Sequence, residues 1–324
     1  MEFIQGDALE VLKTLESNSI DCVVTSPPYW QLRDYRINGQ LGLEETLEEY
    51  FENLMGIFDE VYRILKDTGT VFVNLGDTYS NNAAIPVRGR KGFLKGENYE
   101  ILKRETKIKR KSRLCIPERF AIYMIESGWI LRNKIIWRKP NIMPESVKDR
   151  FTNDFEEVFF FTKNQKYYFE KQYEPYAEKT LKAFKNGIIP TSHKYLDQEQ
   201  LKNRPKSRMR DVKKEWLAVV SDKGRNMRTV WENLLSDEDV ENIGDIWNIA
   251  TIGVKAAHFA TYPEELVRRC LSAGCPPCGK VLDMFLGSGT TLKVAKELGM
   301  DGIGIELNPE YMELARKRIA ESEV

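Results

Sequence analysis

A short segment of this 324-residue chain combines a hydroxyl, two prolines and an aromatic ring at the end of an apolar run. The segment is TSPPYW at 25–30, and the β-branched residues of 20–25 predict a strand before the prolines. Successive prolines lack backbone donors and stiffen a turn, which leaves carbonyls free to accept hydrogen bonds from a ligand. Because open α/β sheets bind ligands where their strands end, we predict a ligand-binding turn here. A structural turn that packs its tyrosine is the alternative.

A second segment, VLDMFLGSGTT at 281–291, has the pattern of a strand that enters a glycine-rich turn and opens a helix. Small residues let a ligand approach the backbone closely, and the N–H groups at the helix start face that ligand. The next predicted strand ends at Glu306, where an acidic side chain can hold ribose hydroxyls. The dinucleotide pattern GxGxxG is absent. These features predict a site for an adenosine-containing cofactor other than a dinucleotide. A purely structural turn is the alternative for the glycine-rich segment taken alone.

The elements that must position these segments alternate between strand and helix patterns. The alternation predicts an α/β fold with a doubly wound, Rossmann-like sheet of parallel strands and helices on both faces. Strands are predicted at 1–5, 20–25, 70–75, 129–137, 158–162, 281–284 and 302–306, and helices at 8–15, 46–66, 263–273, 290–298 and from 309.

Charge is distributed unevenly, although 49 Lys and Arg balance 49 Asp and Glu. Acidic residues are in excess in 1–79 and 232–324, whereas basic residues are in excess in 86–113 and 163–231. Such asymmetry suggests that the middle of the chain meets a polyanion, with a solvated loop as the alternative for 86–113. The composition excludes a disordered, collagen-like or disulfide-scaffold protein.

The cysteines favour a reducing compartment. Their number is odd, and a signal-peptide pattern is absent, so we expect a cytoplasmic protein. No apolar run reaches the ~18–20 residues that span a bilayer. The CxxC pair lacks a second pair of ligands, so no metal site is predicted, and Cys22 is expected to be a core thiol. The five are Cys22, Cys115, Cys270, Cys275 and Cys278.

Taken together, these motifs resemble the β group of DNA amino-methyltransferases, most closely its cytosine-N4-specific members from restriction-modification systems. The resemblance covers most of the chain in the permuted order of that group, with the catalytic motif first and the cofactor motif last. One departure is RFTNDFEEVFFFTK at 150–163, where the family often has a histidine before its glutamate. The matching segments are GDA at 6–8, TSPPYW at 25–30, GQLGLEETLEEY at 39–50, GTVFVNLGDTY at 69–79, IIWRKPNIMPESVKDR at 135–150, HFATYPEELVRRC at 258–270, DMFLGSGTT at 283–291 and GIGIELNPEY at 302–311.

The resemblance implies an enzyme that uses S-adenosylmethionine, needs no metal and acts on a base flipped out of double-stranded DNA. It also implies three regions. Residues 1–162 form the catalytic half, in which 86–113 is a basic DNA-facing loop; 163–245 form a target-recognition region; and 246–324 form the cofactor-binding half. A prokaryotic or phage source is expected. A cognate restriction endonuclease and a homodimer remain open.

The resemblance also implies roles for individual residues. An exocyclic amine is a poor nucleophile, and the Ser26 hydroxyl oxygen and Pro27 carbonyl are expected to accept its hydrogens. Pro28 belongs to the same turn, and the Tyr29 ring is expected to stack on the base. Asp283 either contacts the methyl donor or braces the turn. The remaining cofactor residues are Asp7 for the adenine amine, Phe285 for packing, Gly287, Ser288, Gly289 and Thr290 for the methionine end, and Glu306 for the ribose.

The residue at position 26 bears on the choice of base. In the family, serine before the prolines mostly marks cytosine N4 and aspartate mostly marks adenine N6. We therefore expect cytosine N4, with an adenine-N6 enzyme as the alternative. More distant alternatives are a non-catalytic DNA-binding relative and an RNA or small-molecule methyltransferase, which the two basic regions disfavour. Asp77 is either a pocket residue or a group that caps a helix or braces a loop.

Overall fold

The computed structural model describes residues 1–35, 37–80, 107–140, 147–174, 225–226, 230–231 and 262–322. Most of the predicted basic loop 86–113 and of the region 163–245 therefore lies outside the described residues. The chain divides into two compact units: Met1–Glu170 with Thr229–Val324 form the first, and Lys171–Arg228 form the second.

The first unit is built on one mixed β-sheet. Its strands, numbered in chain order with the second unit included, are β1 (Glu2–Gln5), β2 (Ile20–Thr25), β3 (Leu65–Leu75), β4 (Ile130–Arg138), β5 (Phe155–Thr162), β8 (Val230–Trp231), β9 (Lys280–Asp283) and β10 (Asp301–Glu306). They lie in the spatial order β1-β10-β9-β2-β3-β5-β4-β8. The second unit contributes a separate pair, β6 (Tyr173–Glu174) and β7 (Arg225–Asn226).

The direction of β5 corrects the prediction of a wholly parallel sheet. Strand β5 pairs antiparallel with both β3 and β4, whereas the other pairs of the large sheet are parallel. Parallel neighbours need a crossover connection, usually a helix, but antiparallel neighbours do not. The described part of the link between β4 and β5, residues 139–140 and 147–154, contains no helix. The doubly wound, Rossmann-like class is confirmed.

Helices cover the sheet where the sequence pattern predicts them, with one addition. Helix α3 is not among the predicted elements, although its buried residues Ile116, Phe120 and Met124 recur at helical spacing. Helix α2 begins at a capping box between Thr46 and Glu49. The helices are α1 (Ala8–Thr14), α2 (Leu47–Ile64), α3 (Ile116–Glu126), α4 (Glu264–Gly274), α5 (Thr290–Glu297) and α6 (Pro309–Glu321). No helix within the described ranges is long and apolar enough to cross a membrane.

The core that supports the site lies between the sheet and helices α1 to α3. Aromatic rings of α2, α3 and β5 meet there, since the Phe120 ring lies 5.0 Å from Phe58 and 6.0 Å from Phe161, centroid to centroid. The Cys22 side chain is fully buried in β2, as predicted for a core thiol, and burial raises its pKa well above the ordinary value. Such a thiol stays protonated and is a poor nucleophile.

Candidate active site

A cavity of about 560 Å³ lies at one edge of the large sheet. The carboxyl ends of β1, β2, β9 and β10 lead into its wall, through Gly6, Ser26, Met284 and Leu307. Lys139 and Glu156 also line the cavity. Lys139 follows the carboxyl end of β4, and Glu156 is the second residue of β5, which begins at this edge because it runs antiparallel to β4. This is the edge at which open α/β sheets bind ligands.

The proline turn after β2 is anchored from behind. Ser26, Pro27, Pro28 and Tyr29 all line the cavity. The hydroxyl of Tyr50 in α2 donates to the Pro28 carbonyl at 3.0 Å. The following Trp30 is fully buried, and its indole N–H donates to the Glu44 carbonyl at 3.0 Å. The turn is therefore fixed against α2 while its other side faces the cavity.

Tyr29 is held at both its ring and its hydroxyl. The Tyr29 hydroxyl donates to Glu156 Oε2 at 2.8 Å. The ring lies against Gly76, where a Cβ atom would come within 2.6 Å of Tyr29 Cε2. Burial and the nearby Glu156 carboxylate raise the Tyr29 pKa well above its ordinary value, and a hydrogen bond with Ser26 partly opposes this. Tyr29 is consequently a neutral hydrogen-bond donor at physiological pH.

The glycine-rich turn after β9 is tied to the end of β10 through Glu306. Glu306 Oε2 accepts from the Gly287 backbone N–H at 2.8 Å, and Oε1 accepts from the Asn308 N–H at 2.8 Å. Gly287 has a φ of 53°, in the region that favours glycine. Burial raises the pKa of the Glu306 carboxyl. Glu306, Gly287, Ser288 and Thr290 all line the cavity.

Gly289 has a different position from the other residues of this turn. It does not belong to the cavity lining, and its φ is 84°. A Cβ atom at Gly289 would lie 2.9 Å from the Cβ of Ala315. Gly289 therefore permits a close approach between the start of α5 and helix α6.

Asp283 lies behind the cavity wall, with its side chain fully buried. Its Oδ1 accepts from the Thr25 hydroxyl at 2.7 Å and from the Phe285 N–H at 3.1 Å. Its Oδ2 accepts from the hydroxyls of Thr291 and Tyr262, at 2.6 and 2.9 Å. Burial raises the pKa of this carboxyl. Of the two roles considered for Asp283, this geometry is that of a brace that joins β2, β9 and α5.

The remaining predicted cofactor residues reach the cavity. Asp7 lines it and also caps α1, since its Oδ1 accepts from the Glu10 N–H at 3.0 Å. Phe285 lines the same region. Of the predicted catalytic and cofactor residues, all line this cavity except Asp283 and Gly289.

Asp77 does not line the cavity. Its carboxylate accepts from the Arg113 guanidinium at 2.7 Å and from the backbone N–H groups of Cys115 and Ile116 at 3.2 and 3.1 Å. These contacts match the loop-bracing and helix-capping arrangement, the second of the two considered for Asp77, because the two N–H groups belong to the start of α3.

Several cavity residues have no role assigned from the sequence. Tyr35 and Tyr311 form an edge-to-face pair with ring centroids 6.2 Å apart. The Lys139 ammonium forms an ion pair with Glu156 and lies 4.5 Å from the centre of the Trp137 ring. Trp137 and Lys139 fall within the quoted segment IIWRKPN, so the resemblance could have pointed to them.

Basic side chains and an exposed phenylalanine occur on two neighbouring segments. Residues 107–111 include four basic side chains, and Lys111 pairs with Asp149. The Arg150 guanidinium lies 4.1 Å from the centre of the Tyr79 ring. Phe151 is 96% exposed. Residues 147–154 lead into β5, whose Glu156 reaches the cavity. The four basic residues are Lys107, Lys109, Arg110 and Lys111, all exposed.

Known type II methyltransferases are similar to this protein along nearly its whole length. The type II methyltransferase M.SmaI of Serratia marcescens is 37% identical over 320 residues, covering 98% of this chain and 90% of that protein. The type II methyltransferase M.Cfr9I of Citrobacter freundii is 36% identical over 326 residues, covering 97% and 86%.

Solved structures share the fold. A putative DNA modification methylase from Thermus thermophilus, complexed with S-adenosyl-L-methionine, superposes with a TM-score of 0.56 at 22% identity, covering 99% of this chain and 93% of that one. The cytosine-N4-specific PvuII DNA methyltransferase superposes with a TM-score of 0.54 at 19% identity, covering 99% and 90%. The model of the N6/N4 DNA methylase family matches residues 20–317, and the chain belongs to that family.

Proposed function

We propose that this protein transfers a methyl group from S-adenosylmethionine to the exocyclic N4 amine of a cytosine flipped out of duplex DNA. Its family makes it an S-adenosylmethionine-dependent DNA amino-methyltransferase, and the proposal concerns the base and the residues that act on it. The observation that carries it is Ser26, which lines the cavity at the first position of the anchored proline turn.

The cavity residues fit S-adenosylmethionine. A Cβ at Gly287 would lie no closer than 3.9 Å to any atom outside its chain neighbours, so this side of the turn is open to a ligand. The Gly287 N–H helps to fix the Glu306 carboxylate, which we assign to the ribose hydroxyls. We assign Asp7 to the adenine amine and Phe285 to packing against the adenine. When bound, this cofactor supplies a methyl group on a positively charged sulfur that is a good leaving group. The methionine end is bordered by Ser288 and Thr290, with Asp283 and Gly289 as supports.

The proline turn acts on the base. The lone pair of a cytosine amine is delocalised into the ring, so the nitrogen must be biased toward tetrahedral geometry before it attacks. Ser26 Oγ and the Pro27 carbonyl accept the two amine hydrogens and draw the lone pair out of conjugation. The Tyr29 ring stacks on the base and offsets part of the few kcal/mol that unstacking costs.

The nearest alternative is methylation of adenine N6 by the same turn. The family favours aspartate before the prolines for that reaction, and this chain has serine. A neutral hydroxyl at this position supports the cytosine assignment.

DNA binding is assigned to the basic middle of the chain. The exposed basic side chains of 107–111 support phosphate contacts, and the second unit, Lys171–Arg228, falls inside the proposed target-recognition region 163–245. We retain 1–162 as the catalytic half and 246–324 as the cofactor-binding half. Since the relatives above are named type II methyltransferases, we propose that this enzyme marks the site of a type II restriction-modification system.

The contact between Ser26 and the amine can be tested by substitution. Ser26→Ala removes one acceptor, so we expect kcat to fall at least about tenfold while the KM for S-adenosylmethionine stays within about twofold. Methyl transfer to plasmid DNA from a methylation-free host measures both constants. Ser17→Ala, at an exposed serine that does not line the cavity, serves as the control. A Ser26→Ala enzyme with full kcat would refute the contact.

A further inference from the structure

Glu156 is a cavity residue without an assigned role in methyl transfer. It lies on β5 opposite Trp137 of β4 in the strand register. Lys139, the residue that follows the end of β4, donates its backbone N–H to the Asp154 carbonyl at 2.6 Å. Both Glu156 and Lys139 are therefore placed by a paired region of the sheet rather than by a free loop.

The Glu156 carboxylate is fixed from two directions. Its Oε2 accepts from the Tyr29 hydroxyl at 2.8 Å, and its Oε1 pairs with the Lys139 ammonium. The Glu156 and Lys139 side chains are only 18% and 21% exposed, so solvent and salt screen this pair less than a surface pair. The ammonium also lies 4.5 Å from the centre of the Trp137 ring, which attracts a cation.

The other side of Tyr29 leaves its ring little freedom. A Cβ at Gly76 would already approach the ring to 2.6 Å, so the ring packs directly against that backbone. Asn74 Oδ1 lies 3.5 Å from the Tyr29 hydroxyl oxygen, at the limit of a hydrogen bond. The Asn74 amide in turn donates to the Glu157 carbonyl at 3.2 Å. The ring thus rests against the end of β3 while the Glu156 carboxylate holds its hydroxyl.

We infer that Glu156, oriented by Lys139, is a positioning residue that holds the Tyr29 ring in the orientation in which it stacks on the flipped base. This inference rests on the proposed stacking role of Tyr29. A ring whose plane is already set favours stacking on a flipped base, because each degree of freedom that is frozen in advance lowers the cost of ordering the complex. A carboxylate that bonds the far end of the ring provides such a restraint.

A double-mutant cycle tests whether Glu156 acts through the Tyr29 hydroxyl. Tyr29→Phe keeps the ring and removes the hydroxyl, whereas Glu156→Ala removes the acceptor. We expect each variant to lower kcat about tenfold and leave the KM for S-adenosylmethionine within about twofold. The double variant should lose no more than about twofold beyond either single variant, because both changes break the same bond.

Two further variants separate positioning from general stability. Glu156→Gln keeps an acceptor for the tyrosine hydroxyl and is expected to retain at least about a third of kcat. Asp154→Ala removes a nearby carboxylate that pairs with Arg138 on the surface, and we expect wild-type kinetics from it. Thermal unfolding of all variants checks that each is folded.

The outcomes distinguish this inference from the proposed function. If the unaltered enzyme methylates DNA and Glu156→Ala keeps the wild-type kcat, or if the two losses multiply to about a hundredfold, the positioning role is overturned and the function stands. If the unaltered enzyme transfers no methyl group to any DNA, the proposed function fails and the inference fails with it.

Discussion

Replacing Glu306 by glutamine should weaken cofactor binding while leaving the unliganded protein folded. The two carboxylate oxygens accept one backbone N–H each, from Gly287 and Asn308, both at 2.8 Å. An amide offers only one acceptor, so its NH2 group faces one of these two donors. The glycine-rich turn must then shift, and the ribose loses a charged acceptor.

The magnitude follows from the hydrogen bonds that are lost. A hydrogen bond to a charged group contributes about 1.5–3 kcal/mol, and about 1.4 kcal/mol corresponds to a factor of ten in Kd. We therefore expect the Kd for S-adenosylmethionine to rise about 10- to 100-fold in Glu306→Gln. Burial already disfavours the ionised carboxyl, which offsets part of the stability lost with one backbone hydrogen bond, so the unliganded Glu306→Gln protein should stay folded.

Isothermal titration calorimetry with S-adenosylmethionine measures this change, and thermal unfolding without cofactor measures the stability. Glu310→Gln is the matched control, since Glu310 lies in the first turn of α6 and does not line the cavity. An unchanged Kd in Glu306→Gln would refute the ribose assignment. A collapse of the unliganded protein would show that Glu306 is mainly a structural support.

Three other predictions concern the stability of the glycine-rich turn, its pH dependence and DNA binding. An alanine at Gly289 would have to adopt a φ of 84° and place its Cβ 2.9 Å from the Cβ of Ala315, so Gly289→Ala should lower the free energy of unfolding by about 1–3 kcal/mol. Differential scanning calorimetry should find a larger fall in Tm than for Gly299→Ala, where no atom lies within 4 Å of the added Cβ. An equal fall in the two variants would contradict the close contact. Burial raises the pKa of Glu306 in the folded state, so the folded wild type binds this proton more tightly than the unfolded chain does. The wild type should therefore lose stability relative to Glu306→Gln as pH rises from the ordinary glutamate pKa of about 4.3 up to the folded-state pKa. Denaturant unfolding of both proteins at several pH values checks the sign, and a pH-independent difference in stability would contradict it. Duplex binding should weaken about a thousandfold between about 50 and 200 mM salt if about six phosphates are contacted; fluorescence anisotropy measures this, and salt-insensitive binding would count against the basic surface.

The order and type of most strands and helices could be predicted because their apolar periodicity is strong. The direction of β5 could not, since the hydrophobic run at 158–162 reads the same for a parallel and an antiparallel buried strand. Helix α3 is absent from the prediction although Ile116, Phe120 and Met124 have helical spacing. The helical spacing extends over few residues and directly follows a basic stretch that has no apolar period, so the sequence does not clearly mark where the helix begins.

The candidate site was predictable where its residues follow a strand, and less so where distant segments meet. Position along the chain placed Ser26, Gly287 and Glu306 at one sheet edge. The hydrogen bond between Tyr29 and Glu156 joins residues 127 positions apart, and no local sequence pattern predicts it. The hydrogen bonds of Asp283 likewise depend on hydroxyls from β2, α5 and Tyr262, which come together only in the folded chain.

The identity of the methylated nucleoside tests the central claim most directly. DNA that carries no prior methylation would be incubated with the enzyme and S-adenosylmethionine bearing a deuterated methyl group, then digested to nucleosides and analysed by mass spectrometry. The proposed function predicts deuterated N4-methyldeoxycytidine. Deuterated N6-methyldeoxyadenosine would contradict the base assignment, and the absence of label in any nucleoside would contradict the proposed DNA methyl transfer itself.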